Sequence, residues 1–297
     1  MLFRSDLGIH LKGLVAHATG QSKFKTVHAL SLESLQDAWE GHRRATDFAI
    51  NFLKSNCGIT SPALLSSPFI LISIGYLGER DGYRISEQES QLLRRWVLTA
   101  NAKGRYSRGS TETFLDQDWS TIRDGGSAIQ LLERLKLQVG RLDITAEELE
   151  GRDQRSALFK TMFLVFSSRG ATDWQSGLAI DLKRTGAQHK IQFHHVFPQA
   201  LLKDIYSRSQ INDISNLAFI DATTNRRILA SKPAEYLPKI IAEGRESQLV
   251  RQDIPIDPDL YGLDTYLEFL ARRRTAICAS LNAFLGSAAE NHPELEQ

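Results

Sequence analysis

Between His189 and Tyr236 the chain carries its densest set of groups that can do chemistry. His194 and His195 close the short run HKIQFHH. Asn216 opens NLAFID, and Asn225 follows two threonines and precedes Arg226 and Arg227. Neutral imidazole binds metal ions, and its ordinary pKa lies near working pH, so histidine serves as ligand or as proton acceptor. A lone histidine is more often a structural hydrogen-bonding group. Here three of the chain's eight fall within residues 189–195, and two are adjacent. Hydrolysis of a phosphodiester needs two functions side by side: a Lewis acid at the phosphate and a base that takes a proton from water.

The elements that must position these groups follow from the pattern. Residues 189–197 alternate as a strand does, which puts Ile191, Phe193 and His195 on one face and Gln192 and His194 on the other. The two histidines therefore point apart and need not share a task. Leu217–Ile220 is a second short apolar run, and Thr223 or Thr224 is placed to cap a helix that carries Asn225. A strand, loop, strand and helix in this order would return Asn225 to the end of the first strand. The helix also presents Arg226 and Arg227, with Lys232 close behind. Together with Lys190 they supply charge that can neutralise phosphate.

The rest of the chain reads as a helical mount. Leu35, Ala38, Trp39, Ala45, Ala49, Phe52 and Leu53 recur at helical spacing, and Gly58 stands where a left-handed cap would end that helix. Phe69–Leu77 is almost wholly apolar and is expected to be a buried helix. Ser86-x-x-Glu89 reads as a capping box opening a helix towards Ala100, and Thr145-x-x-Glu148 as another. Gly104–Thr113 reads as a polar loop, whose Arg105, Tyr106 and Arg108 could touch a ligand but suit a solvated turn better. Helices are expected at 127–137 and at Ala157–Phe166, and a long one over Tyr266–Leu285 ended by Gly286. Pro233 sits at a first-turn position with Ser231 available as cap. The expected organisation is a helical domain over 1–180, a ββα core over 181–245, and a C-terminal helix with a polar tail over 246–297 that packs back on the core. The fold class is mainly α.

Bulk properties exclude several classes. With 42% hydrophobic and 24% charged residues the composition is that of a soluble globular protein, and no apolar run is long enough to cross a membrane. The first residues lack the apolar core of a signal peptide. Two cysteines, Cys57 and Cys278, are too few for a disulfide scaffold or a cysteine-rich zinc site, and they fit a cytoplasmic location. Net charge is only +1, but residues 183–239 hold nine Lys or Arg against four Asp or Glu. A local basic surface can meet nucleic acid even on a nearly neutral protein.

Residues 189–236 resemble the HNH, or ββα-metal, endonucleases. The paired histidines, the Asn opening the second strand and the Asn nine residues later carry the likeness. It implies that His194 is a metal ligand, that His195 is the base that activates water, that Asn216 holds the loop and orients that base, and that Asn225 is the second ligand. Mg²⁺ or Mn²⁺ is the implied ion and DNA the implied partner. HHVFPQALL, SNLAFIDATTNRRI and SKPAEYL are more narrowly similar to the C-terminal nuclease region of GmrSD-type, modification-dependent restriction proteins, and RRWVLTANAKGRYSRGSTETFLDQD to the helical region before it. The nucleotide-hydrolysing domain that usually begins those proteins has no counterpart motif here. A separate nucleotide-hydrolysing or sensor subunit and a homodimer are therefore among the expected partners. Restriction of phage or foreign DNA is the implied role. The alternatives are a catalytically silent DNA-binding module, one subunit of a split restriction system, or an RNase or toxin.

Overall fold

The computed structural model describes residues 7–21, 30–182 and 191–286. Lys190, the start of the 189–197 run and the tail from Ser287 lie outside them. The chain is mainly helical and divides into two compact units, one running to Asp143 with the chain from Leu285, the other Ile144–Phe284. Residues 144–180, grouped above with the helical region, belong to the second unit. Among the described residues no helix is long and apolar enough to cross a membrane.

The first unit contains α1 (Leu7–Thr19), α2 (Leu32–Cys57), α3 (Ile70–Arg80), α4 (Glu87–Lys103), α5 (Thr111–Arg123) and α6 (Ala128–Val139). Ser31 caps the start of α2, and Gly58, at φ 67°, ends it in the left-handed conformation expected from the sequence. α3 is the buried helix read from residues 69–77. It packs close on α2 because Gly75 has no side chain: a Cβ there would lie 2.8 Å from the Ala45 carbonyl oxygen. Ser86 caps α4, but the Glu89 carboxylate accepts from the Ala128 amide at the start of α6, 2.8 Å away. That contact ties two helices together.

The polar segment at 104–113 differs from its reading as a ligand-touching or solvated loop. Arg105 and Tyr106 are buried, and α5 begins within it at Thr111. The Arg105 guanidinium makes a two-point pair with Asp118, at 2.6 and 3.0 Å, and the Tyr106 hydroxyl donates to the same carboxylate. Arg108 alone of the three is exposed.

The second unit runs α7 (Ala146–Leu149), α8 (Ala157–Ser168), β1 (Ile191–His195), α9 (Gln199–Leu202), α10 (Arg208–Ile211), β2 (Leu217–Asp221), α11 (Ala222–Ile228), α12 (Pro233–Ala242), α13 (Glu246–Val250) and α14 (Tyr266–Gly286). β1 and β2 are antiparallel, with His194 opposite Ala218 and His195 opposite Leu217. One face of this hairpin carries Phe219, which meets Phe159, Phe163 and Phe166 of α8 with ring centroids 4.9–6.2 Å apart. The other face, with Ala218 and Ile220, joins a core of Trp174, Ile228, Tyr236, Leu237 and Phe269. The Gln252 amide both donates to and accepts from the Phe219 backbone, at 2.8 Å each way, and so covers the open edge of β2.

Local capping differs from the sequence reading at two points. The cap of α11 is Asp221, whose carboxylate accepts from the Thr224 amide at 2.7 Å; the expected caps Thr223 and Thr224 already lie within the helix. α12 begins at Pro233 as expected, but Ser231 does not cap it and Lys232 occupies the cap position without a side-chain bond.

Candidate active site

β1 places its two histidines on opposite faces of the hairpin. His194 points inward, only 4% exposed, between Trp174 and Tyr236, whose rings meet it edge-on with centroids 6.0 and 6.2 Å away. α11 brings Asn225 to it across thirty-one positions: His194 Nδ1 and Asn225 Oδ1 are 2.8 Å apart. The Asn225 amide nitrogen donates to Gln192 Oε1, at 2.7 Å, which turns the amide oxygen towards the imidazole. His194 Nε2 is buried and has no hydrogen-bond partner among the described residues. Burial, then the neighbouring His195 charge, holds the His194 pKa down at about 4 against the lift from Asn225. The ring is therefore neutral at ordinary pH, the form that binds metal.

His195 faces a cleft of about 990 Å³ lined also by Phe193, Gln199, Lys203, Arg208 and Asn212. Its Nε2 is 3.1 Å from Asn212 Oδ1. The Asn212 amide nitrogen donates to the Arg208 carbonyl at 3.1 Å, which leaves its oxygen as the acceptor facing the ring. Gln199 Nε2 donates to the same oxygen at 2.8 Å. Gln199 Nε2 also lies 3.1 Å from His195 Nε2, so Asn212 and Gln199 together hold that ring nitrogen. Burial lowers the His195 pKa, and the Asn212 bond offsets part of that effect.

Asn216 has the first of its two expected contacts. Its oxygen accepts from the Phe197 amide at 2.8 Å, and its nitrogen donates to the carbonyls of Phe197 and Ile211 at 3.1 and 3.0 Å. It thus closes the β1–β2 loop on itself. The residues that touch His195 are Asn212, four positions before Asn216, and Gln199, neither of which the sequence singles out. α14 supports the same loop: Arg273 donates to the Ser215 carbonyl and Tyr266 to that of Gln210, both at 2.8 Å.

α11 is held from a second direction. Asp173, fully buried, accepts from Gln175, Ser176, Asp221 and Thr224 at 2.7–3.0 Å. Burial alone would raise its pKa, but these donors outweigh it and the net shift is downward. Nothing in the sequence around Asp173 distinguished it from an ordinary turn residue. Arg226, Arg227 and Lys232 are exposed, and Arg227 reaches Gln175 Oε1 at 2.8 Å.

The donor set at His194 and Asn225 suits a cation. Two ligands on neighbouring corners of an octahedral ion with bonds of about 2.1 Å lie about 3 Å apart, close to the spacing found here. An imidazole nitrogen and an amide oxygen bring no charge, and among the described residues no three His, Cys, Asp or Glu side chains converge. Such a pair fits an ion that keeps several waters and gains phosphate oxygens as further ligands. No family model matches the chain, and no curated protein does.

Proposed function

We propose that the protein is a metal-dependent HNH-type endonuclease that hydrolyses DNA phosphodiester bonds, akin to the nuclease region of GmrSD-type restriction proteins. The observation that carries this reading is the meeting of His194 and Asn225 at 2.8 Å, with His195 next in the chain and aimed into an open cleft. His194 and Asn225 would hold Mg²⁺ or Mn²⁺. When bound, the ion supplies Lewis acidity at the phosphate and stabilises the leaving oxygen. Imidazole and amide donors together favour Mn²⁺ over the harder Mg²⁺.

His195 accepts the proton of the attacking water. Once the ring is protonated, Nε2–H donates to Asn212 Oδ1 and the imidazolium is stabilised. Trp174 and Tyr236 pack edge-on against His194 and fix the plane of its ring. Arg226, Arg227 and Lys232 meet phosphates of the substrate without reading its sequence. Restriction of phage or foreign DNA in the cytoplasm is the biological role that goes with this chemistry. A nucleotide-hydrolysing subunit or a second copy of the chain would complete it where both strands are cut.

The test is incubation of the purified protein with modified and unmodified plasmid and Mn²⁺, with nicked and linear products scored separately. His195→Ala is expected to lose cleavage by about 100-fold or more while binding DNA nearly as before. Chelation should stop the wild type, and Mn²⁺ should restore it at lower concentration than Mg²⁺. Undiminished cutting by His195→Ala, or full activity in chelator, would reject the proposal.

A further inference from the structure

The cleft on the His195 face holds more than the base. Phe193 shares that face, two residues before His195 on β1, and stays 43% exposed. Among the described residues it is the one phenylalanine or tryptophan of the second unit left so open. Phe159 backs it edge-on, with centroids 6.1 Å apart and planes at 88°, so the ring is supported from one side. A strand residue of this size facing water forfeits the gain from burial. A ring kept in such a place is suited to receive another flat surface.

The polar walls of the same cleft are cationic. Lys203 and Arg208 are exposed and form no salt bridge among the described residues; Arg155 pairs with Asp153, the one carboxylate lining the cleft. Arg226, Arg227 and Lys232 do not line this cleft; α11 packs on the hairpin face opposite Phe193 and His195. A supported aromatic ring among exposed cations is the arrangement that binds single-stranded nucleic acid: phosphates follow the charge and a base stacks on the ring. Bases inside a duplex are already stacked on one another and cannot lie on Phe193 unless one is unpaired or extruded.

We propose that this cleft takes a single-stranded or locally unpaired stretch of DNA, with one base on Phe193 and the flanking phosphates on Lys203 and Arg208, beside His195. The inference rests on the nuclease reading for the role of His195, but the binding it asserts can be measured without cleavage. In chelator, fluorescence anisotropy with a labelled oligonucleotide, free or annealed to its complement, reads both affinities. The wild type is expected to prefer the single strand by about 10-fold or more. Phe193→Ala should weaken single-strand binding about 5- to 100-fold and change duplex binding by no more than about 2-fold, whereas Phe193→Trp should retain the preference. Arg208→Ala should reduce the slope of log affinity against log salt by about one unit or slightly less. Because Phe193 is partly exposed and rests on Phe159, Phe193→Ala should lower the melting temperature by no more than about 5 °C, and Phe193→Trp should leave it near the wild type.

Duplex preference by the wild type, or equal single-strand binding by the wild type and Phe193→Ala, overturns the inference. Plasmid cleavage reports separately on the nuclease reading. Phe193-dependent binding without any cutting sinks the reading and keeps the cleft. Cutting that depends on His195 but not on Phe193 does the reverse.

Discussion

Asn216 and Asn212 lie four positions apart and do different work. All three side-chain hydrogen bonds of Asn216 go to backbone groups of the loop it closes, in a fully buried setting. Asn216→Ala would leave one donor and two acceptors of the backbone unmet. A loss of roughly 3 kcal/mol or more in urea unfolding is expected, since each buried unsatisfied group costs about 1–3 kcal/mol. A loss under about 1 kcal/mol would mean that the loop is held by α14 instead. Asn212 is only half-buried and touches a side chain that must be aimed. Asn212→Ala should alter stability by no more than about 0.5 kcal/mol, as is usual away from the core. It should still lower cleavage by on the order of 100-fold, because a misaligned base loses its attack geometry.

α11 is seven residues long, too short to persist by its own backbone bonds. Its register depends on Asp221 at its cap and on Asp173, which reaches both the cap residue and Thr224 from about fifty positions earlier. Asn225 inherits its position from these two carboxylates. Asp173→Ala would strip the acceptor from the backbone N–H of Gln175, Ser176 and Asp221 at once. The second unit is expected to lose roughly 3–5 kcal/mol, the range for breaking a buried charged network. Trp174 lies in that unit and packs against His194, so its fluorescence in a denaturant titration reports the loss directly. A stability within about 1 kcal/mol of wild type would show that packing of Ile228 and Tyr236 alone places the helix.

At the scale of the whole molecule, each unit holds a buried histidine that makes its stability fall in acid, His42 in the first and His194 in the second. In the first, His42 of α2 is buried against Gly13 of α1, where a Cβ would lie 2.1 Å from its ring. Burial, then the neighbouring His17 and His10, hold its pKa down at about 4. Above the ordinary histidine value both folded and unfolded chains keep His42 neutral, and the full stability is present. As pH falls from about 6.5 towards 4 the unfolded chain takes up a proton that the folded chain refuses, so stability declines through that window and levels off below it. Tryptophan fluorescence should record a falling Tm between pH 7 and 5, since Trp39 lies 6.0 Å from His42. His42→Gln should flatten that fall. An unchanged pH profile in the variant would place the acid sensitivity elsewhere, with His194 of the second unit the next group to test.

The amino-acid order alone determined the periodic parts of this protein. The apolar spacing of α2, α3, α4, α6, α8 and α14 was legible, as were the two strands, the faces on which Phe193, His194 and His195 lie, and the helix that carries Asn225. These are properties of a repeat of about 3.6 or 2 residues, which a short window of sequence contains. Tertiary structure decided what each polar group meets. It buried Arg105 and Tyr106 on Asp118 where a polar loop was expected, let Asp221 in place of a threonine cap α11, gave His195 to Asn212, and joined Asp173 to Asp221. Such partners are chosen by which elements pack together, and a buried polar atom takes whichever complement the packing delivers, however distant in the chain.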